Sequence, residues 1–179
     1  MFNTKLRAIN RLFMVEKEKV IVLDDTGTID LGFNEISLYK GSEDEIPFWL
    51  AKELEKSGKT KVNRPNIDEM GRILFQEKQN INTPASIIQL YNNFYIIIKF
   101  LINDLKNSSN IEDLERLRKV YAIIKELSSI RLRKIIQLAL LNINEQTLIS
   151  KMTKEEFLVY STISEILRKY YGDIIGNSS

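Results

Sequence analysis

The chain of 179 residues contains no cysteine and no histidine. The first absence excludes disulfides, thiolate nucleophiles and cysteine-ligated zinc. The second removes the commonest general base and the commonest transition-metal ligand. Any catalysis would have to run on Asp, Glu, Lys, Tyr, Ser or Thr. An excess of charge of one sign is also missing, since 26 Lys and Arg face 24 Asp and Glu. A balance this close argues neither for nor against nucleic acid, because binding depends on patches. Long hydrophobic runs are absent too. The most apolar stretch, NNFYIIIKFLIND at 92–104, is too short to span a bilayer and carries Lys99 in its middle. The N-terminal stretch mixes charges into its apolar residues and does not read as a secretory signal. The expectation is an intracellular, cytoplasmic protein without membrane contact.

What is present is a globular composition, 44% hydrophobic and 28% charged, long enough for one medium domain or two small ones. Two regimes divide it. Up to about Pro65 the pattern is short and strand-like, with glycine punctuation. Residues 4–14 predict a short helix. The β-branched run at 18–24, then TIDLGF and ISLYKG, predict three short strands in one small antiparallel sheet. SEDE at 42–45 reads as a polar loop and an acidic helix start, with Pro47 in the first helical turn. Phe48, Leu50, Ala51 and Leu54 fall near one face of that helix, Glu53, Glu55 and Lys56 are exposed, and Gly58 caps its end. TKV returns as a last strand. Beyond the NRPN linker, helices are expected at about 67–79, 84–106, 111–141 and 153–175, with Thr83 and Thr153 as N-caps. The fold class is therefore α+β: a small β-rich domain over 1–63 with one or two short helices, then a mostly α-helical bundle domain over 67–179.

Two short motifs suggest phosphate chemistry. SGKT, Ser57 to Thr60, resembles the end of a phosphate-binding loop. Its first glycine position is Glu53, and the motif follows a helix, so the negative end of the dipole would face the anion. It reads as a helix C-cap. VIVLDDTGT at 20–28 resembles the nucleophile motif of aspartyl-phosphate enzymes. Asp24 would attack phosphorus from the end of a parallel strand with Mg²⁺ nearby. No second buried strand follows residue 65, so a hairpin with Gly27 at positive φ is the simpler reading. A Mg-dependent phosphohydrolase using Asp24 stands as the alternative function. LERLRK at 114–119 and RLRK at 131–134 read as solvated helix face, with a DNA-facing patch as the other option.

The segment 84–106 is apolar nearly all round the cylinder. Such a helix is either the centre of a bundle or a partner surface. The second option nominates Tyr91, Phe94, Tyr95, Ile98, Leu101, Tyr121 and Ile124 as a subunit interface.

The order of short sheet, IPFWLAKEL, basic strand, NRP and helical domain resembles subunits of the GINS replication complex. Ile46, Pro47, Trp49, Leu50, Ala51 and Leu54 match that family's [VIL]-P-x-W-L-A-x-x-L core, with Phe48 standing where an aliphatic residue is usual. Phe13, Glu16 and Val20 resemble its lead-in to the first strand. Ile130, Arg131, Lys134 and Ile135 resemble the I-R-x-x-K-I pattern of its long helix. The resemblance implies the archaeal type, with the B domain first and the A domain second. It implies a B-domain core of Ile46, Pro47, Trp49, Leu50 and Leu54. It further implies a non-catalytic scaffold without cofactors, in a heterotetramer of two plus two subunits. That scaffold would link the MCM helicase to a RecJ-like protein at archaeal replication forks, with DNA contact indirect or weak.

Overall fold

The computed structural model describes residues 2–32 and 34–176, and the tip residue Phe33 of the predicted second strand lies outside them. The chain divides into two compact units. One is Ala8–Arg64; the other runs from Pro65 onward and takes in the chain up to Arg7.

Helix α1 (Phe2–Val15), which belongs to the first unit from Ala8 onward, leads into β1 (Lys17–Val22). Burial alternates along β1, with Val20 and Val22 inward and Lys19 and Ile21 outward, as a half-buried strand requires. β2 (Gly27–Asp30) and β3 (Glu35–Leu38) form a hairpin, followed by β4 (Glu43–Pro47), α2 (Phe48–Lys56) and β5 (Thr60–Val62). β1 is the middle of a three-stranded sheet, antiparallel to β4 on one side and β5 on the other. Two expectations fail here. The strands after residue 26 do not join β1 but pair only with each other, Gly27 opposite Leu38 through Asp30 opposite Glu35. The segment read as a loop and helix start is instead strand β4. Period-two burial wins there, because Ile46 turns inward while Glu43 and Glu45 face out, Glu45 directly opposite Lys19. Pro47 closes this edge strand and is the N-cap of α2 rather than part of its first turn.

Helix α2 ends in a Schellman motif. Gly58 has φ +74, its N–H donates to Glu55 O, and Lys59 N–H donates to Leu54 O. The SGKT letters are thus a helix terminus. Glu55, expected to be exposed, ties β5 down by accepting from Val62 N–H at 3.1 Å and pairing with Arg64.

The second unit contains α3 (Ile67–Gln79), α4 (Phe94–Asn107), α5 (Ile111–Leu140), the short α6 (Gln146–Ile149) and α7 (Lys154–Ile175). Capping boxes begin α3 at Asn66 with Glu69, and α7 at Thr153 with Glu156. The expected helix over 84–106 is only half right. Pro84–Ser86 make a single 3₁₀ turn, Thr83 gives no side-chain cap, and no helix resumes until Phe94, after Asn93 turns with φ 60. The cause is competition for the backbone. Ile88 N–H donates to Glu77 Oε1 at 3.0 Å and Ile88 O accepts from Arg131 Nη1 at 2.6 Å, so side chains of α3 and α5 satisfy groups that a helix would otherwise use.

Two apolar clusters fill this unit. Met70, Leu74, Leu90, Phe94, Ile98 and Leu127 belong to the first. Ile87, Ile135, Leu138, Leu148 and Tyr160 belong to the second.

Candidate functional site

Between the two clusters lies a group of buried charges. Along α5, Leu127, Arg131, Lys134 and Leu138 recur every three or four residues, so two cations stand on the stripe that faces the core. On α3, Met70, Leu74 and Glu77 do the same for an anion. Arg131, Lys134 and Glu77 are 0% exposed. The reading of RLRK as solvated face is therefore corrected for these two residues, while Leu132 and Arg133 between them are exposed.

An unpaired buried charge costs several kcal/mol, so partners are required. Arg131 Nε and Nη2 each donate to Glu156 at 2.7 Å, a bidentate fork, and Nη1 donates to Glu77 Oε1 at 2.6 Å. Nη2 also reaches Lys151 O at 3.2 Å. Lys134 Nζ donates to Glu77 Oε2 at 2.5 Å. Tyr95 Oη donates to Glu156 Oε1 at 2.7 Å, and Thr153 N–H donates to Glu156 Oε2 at 2.9 Å. Two cations and two anions thus cancel within one network that joins α3, the 86–88 segment, α4, α5 and α7. Burial works to lower the Arg131 pKa, but the hydrogen bonds and charge of Glu156, with Tyr95 and Glu77, hold it above its ordinary value. Burial, then the Glu156 carboxylate, push the Tyr95 hydroxyl above its ordinary value. The charged groups here are buried and paired with one another, Glu156 keeping a slight exposure at a groove that it lines with Tyr95, so the network is built to hold segments in place.

The structure brings together only some of the residues nominated as interface. Phe94 and Ile98 are 0% and 2% exposed in the unit's own first cluster, which corrects their assignment: they cannot present surface without opening that core. Tyr95, Leu101 and Ile124 pack against the same cluster half-buried. Tyr91 and Tyr121 are exposed, Tyr91 edge-on to Phe94 and Tyr121 beneath Lys106 Nζ at 5.6 Å.

In the first unit, Ile46 and Leu50 are buried and Pro47 and Leu54 half-buried. Trp49 is 37% exposed, which corrects its place as the plug of the sheet. A nine-residue helix turns one arc inward, and Phe48, Leu50 and Ala51 occupy it, Phe48 against Phe13 with ring centroids 4.3 Å apart. Asp24 is exposed and follows a strand antiparallel to both neighbours, not the parallel strand end that aspartyl-phosphate chemistry uses.

The chain thus carries a helical bundle domain whose charged residues serve packing. Residues 62–175 match the family model described as the GINS complex protein helical bundle domain, and the chain belongs to this family. That match covers well over half of the chain. No curated protein matches the chain. Among the described residues, no helix is long and apolar enough to cross a membrane.

Membership makes the chain a subunit of a GINS DNA-replication complex, from a family of non-catalytic subunits that associate with other GINS subunits.

Proposed function

We propose that the chain is a non-catalytic scaffold of the replicative helicase, linking the MCM ring to a RecJ-like protein within an archaeal GINS heterotetramer of two plus two subunits. The observation that carries this reading is the family match over 62–175. Residues 1–63 then serve as the B domain and 67–179 as the A domain. The protein works in the cytoplasm at replication forks, and touches DNA weakly or through its partners. Exposed apolar side chains of the helical unit supply the assembly surface: Tyr91, Tyr121 and Leu132, with Tyr95, Leu101 and Ile124 half-buried beside them. Side chains of this size left in water are what an association surface needs.

Native mass spectrometry after co-expression with the second GINS-family protein of the same genome tests the assembly. The expected species holds two copies of each chain. A lone monomer in the presence of that partner overturns the proposal. Reconstitution with MCM tests the scaffold role, with the expected outcome that DNA unwinding by MCM rises only when the GINS complex is present.

A further inference from the structure

The outward face of α5 changes character along its length. At the Leu132 end it meets carboxylates, since Glu155 and Glu156 of α7 line a groove there with Tyr95, Ser128 and Leu132. At the other end it carries cations. Arg118 and Lys125 are exposed and stand three residues before and four residues after Tyr121, so all three share a face. On α4, Lys99 and Lys106 are exposed and seven residues apart, about two turns along one side of that helix. Lys106 Nζ lies over the Tyr121 ring at 5.6 Å, which brings the two faces together.

Four cations thus surround one ring that is 42% exposed. Among the described residues, none of the four holds an ion pair. The nearby carboxylates stand aside or are taken. Asp104 is two residues from Lys106 and therefore on the far side of α4. Glu126 pairs with Lys78 at 2.7 Å, and Asp113 with Arg116 at 3.5 Å. Glu115 borders the patch one turn before Arg118, and the cations still outnumber it. Lysines alone would be content in water. The ring among them adds a flat apolar surface that water serves poorly. Cations with an exposed ring between them suit a single strand, which brings phosphates for the cations and an unpaired base for the ring. A duplex hides the faces of its bases, and an acidic helix would use the cations but not the ring.

We infer that this patch binds single-stranded DNA, with phosphates held by Lys99, Lys106, Arg118 and Lys125 and one base stacked on Tyr121. Lys106 moves from the ring to a phosphate as the base arrives, which its flexible stem permits. The charge and the ring name a single strand; that the strand is DNA rests on the replication role proposed above. Tyr121 then belongs to the strand, and the assembly surface keeps its apolar end at Tyr91, Tyr95 and Leu132.

The test is fluorescence anisotropy of a labelled oligothymidylate, titrated with the full-length chain and with its co-expressed complex with the second GINS-family protein. Affinity should fall with salt along a log–log slope of about −3, roughly 0.7 for each phosphate contact. Tyr121→Ala should weaken binding about tenfold with the slope unchanged, and Tyr121→Phe, which keeps the ring, should bind as the wild type does. Arg118→Gln together with Lys125→Gln should cut the slope by about half. All these side chains are exposed, so the variants should melt at the wild-type temperature. No binding at low salt, or binding that ignores Tyr121→Ala, overturns the inference and leaves the subunit reading standing. Loss of the complex in native mass spectrometry on Arg118→Gln with Lys125→Gln, with oligothymidylate binding unchanged, overturns it in favour of an acidic protein partner. A wild-type chain that stays monomeric beside its partner overturns the subunit reading, while anisotropy of the chain by itself still decides the patch.

Discussion

The two units of the chain are held by different means. In Ala8–Arg64 the interior is apolar, built on Val20, Val22, Ile46, Phe48 and Val62, and charge stays on the rim in pairs such as Lys19 opposite Glu45. In the helical unit, charge is taken inside, and Arg131, Lys134, Glu77 and Glu156 stand between two apolar clusters. Apolar burial is tolerant: a hydrophobe of about the right size fills a gap from several directions. A buried guanidinium is not, since it demands oxygens at set angles. The difference shows in what each unit forgives.

Four substitutions and one pH series probe that contrast. The largest effect belongs to Arg131→Ala, which leaves Glu156 and one oxygen of Glu77 buried without their cation. The helical unit should lose about 5 kcal/mol, the upper end for breaking a buried pair. Far-ultraviolet circular dichroism in a urea titration reads it, and an unshifted midpoint would show that the network is dispensable. Phe48→Ala removes the largest core side chain of α2 and should cost the β unit about 3–4 kcal/mol. Trp49 is the sole tryptophan and sits in that unit, so its fluorescence follows this unfolding separately.

Tyr95→Phe deletes one hydrogen bond to Glu156 and should cost about 1–2 kcal/mol. The same tyrosine gives the chain an alkaline limit. Its folded pKa is raised above the ordinary 10.0, first by burial and then by Glu156. Its contribution is therefore fully present below pH 10 and is lost as pH climbs above it, because only the unfolded chain ionises there. Exposed tyrosines such as Tyr39, Tyr170 and Tyr171 ionise without unfolding, so the reading is the difference in tyrosinate absorbance between the wild type and Tyr95→Phe, which should appear only as the wild type unfolds. A difference that appears reversibly while the helices stay intact would contradict the buried hydroxyl. Trp49→Ala should be the mildest, under about 1 kcal/mol, because the ring lies on the outer arc of α2. A loss as large as that of Phe48→Ala would return Trp49 to the core.

Much of this was readable from the letters. Thr153 with Glu156 carries its cap in the sequence, and α3, α5 and α7 begin and end within a residue or two of their expected bounds. The α+β class and the GINS family were legible as well. Three features were not, for physical reasons. The break at 87–93 depends on Glu77 and Arg131 reaching the Ile88 backbone from 11 and 43 residues away, and no local propensity contains that. The choice of Phe48 over Trp49 for the inward arc turns on Phe13 of α1, whose ring meets it. The groove beside Glu155 exists only once α4, α5 and α7 are side by side. One signal was present but discounted: Arg131 and Lys134 share the apolar stripe of α5, and a cation on a core stripe announces a buried partner.

The network also constrains the route to the folded state. Its donors and acceptors are 25, 54 and 57 residues apart. Closing such separations is slow, and a partial set of partners strands a charge in a drying interior. Any intermediate that has docked α3 on α5 without α7 leaves the Arg131 fork to Glu156 empty. The bundle therefore gains little from assembling in stages, and its helices should appear in a single kinetic phase, as a lock whose tumblers must all be set before it turns.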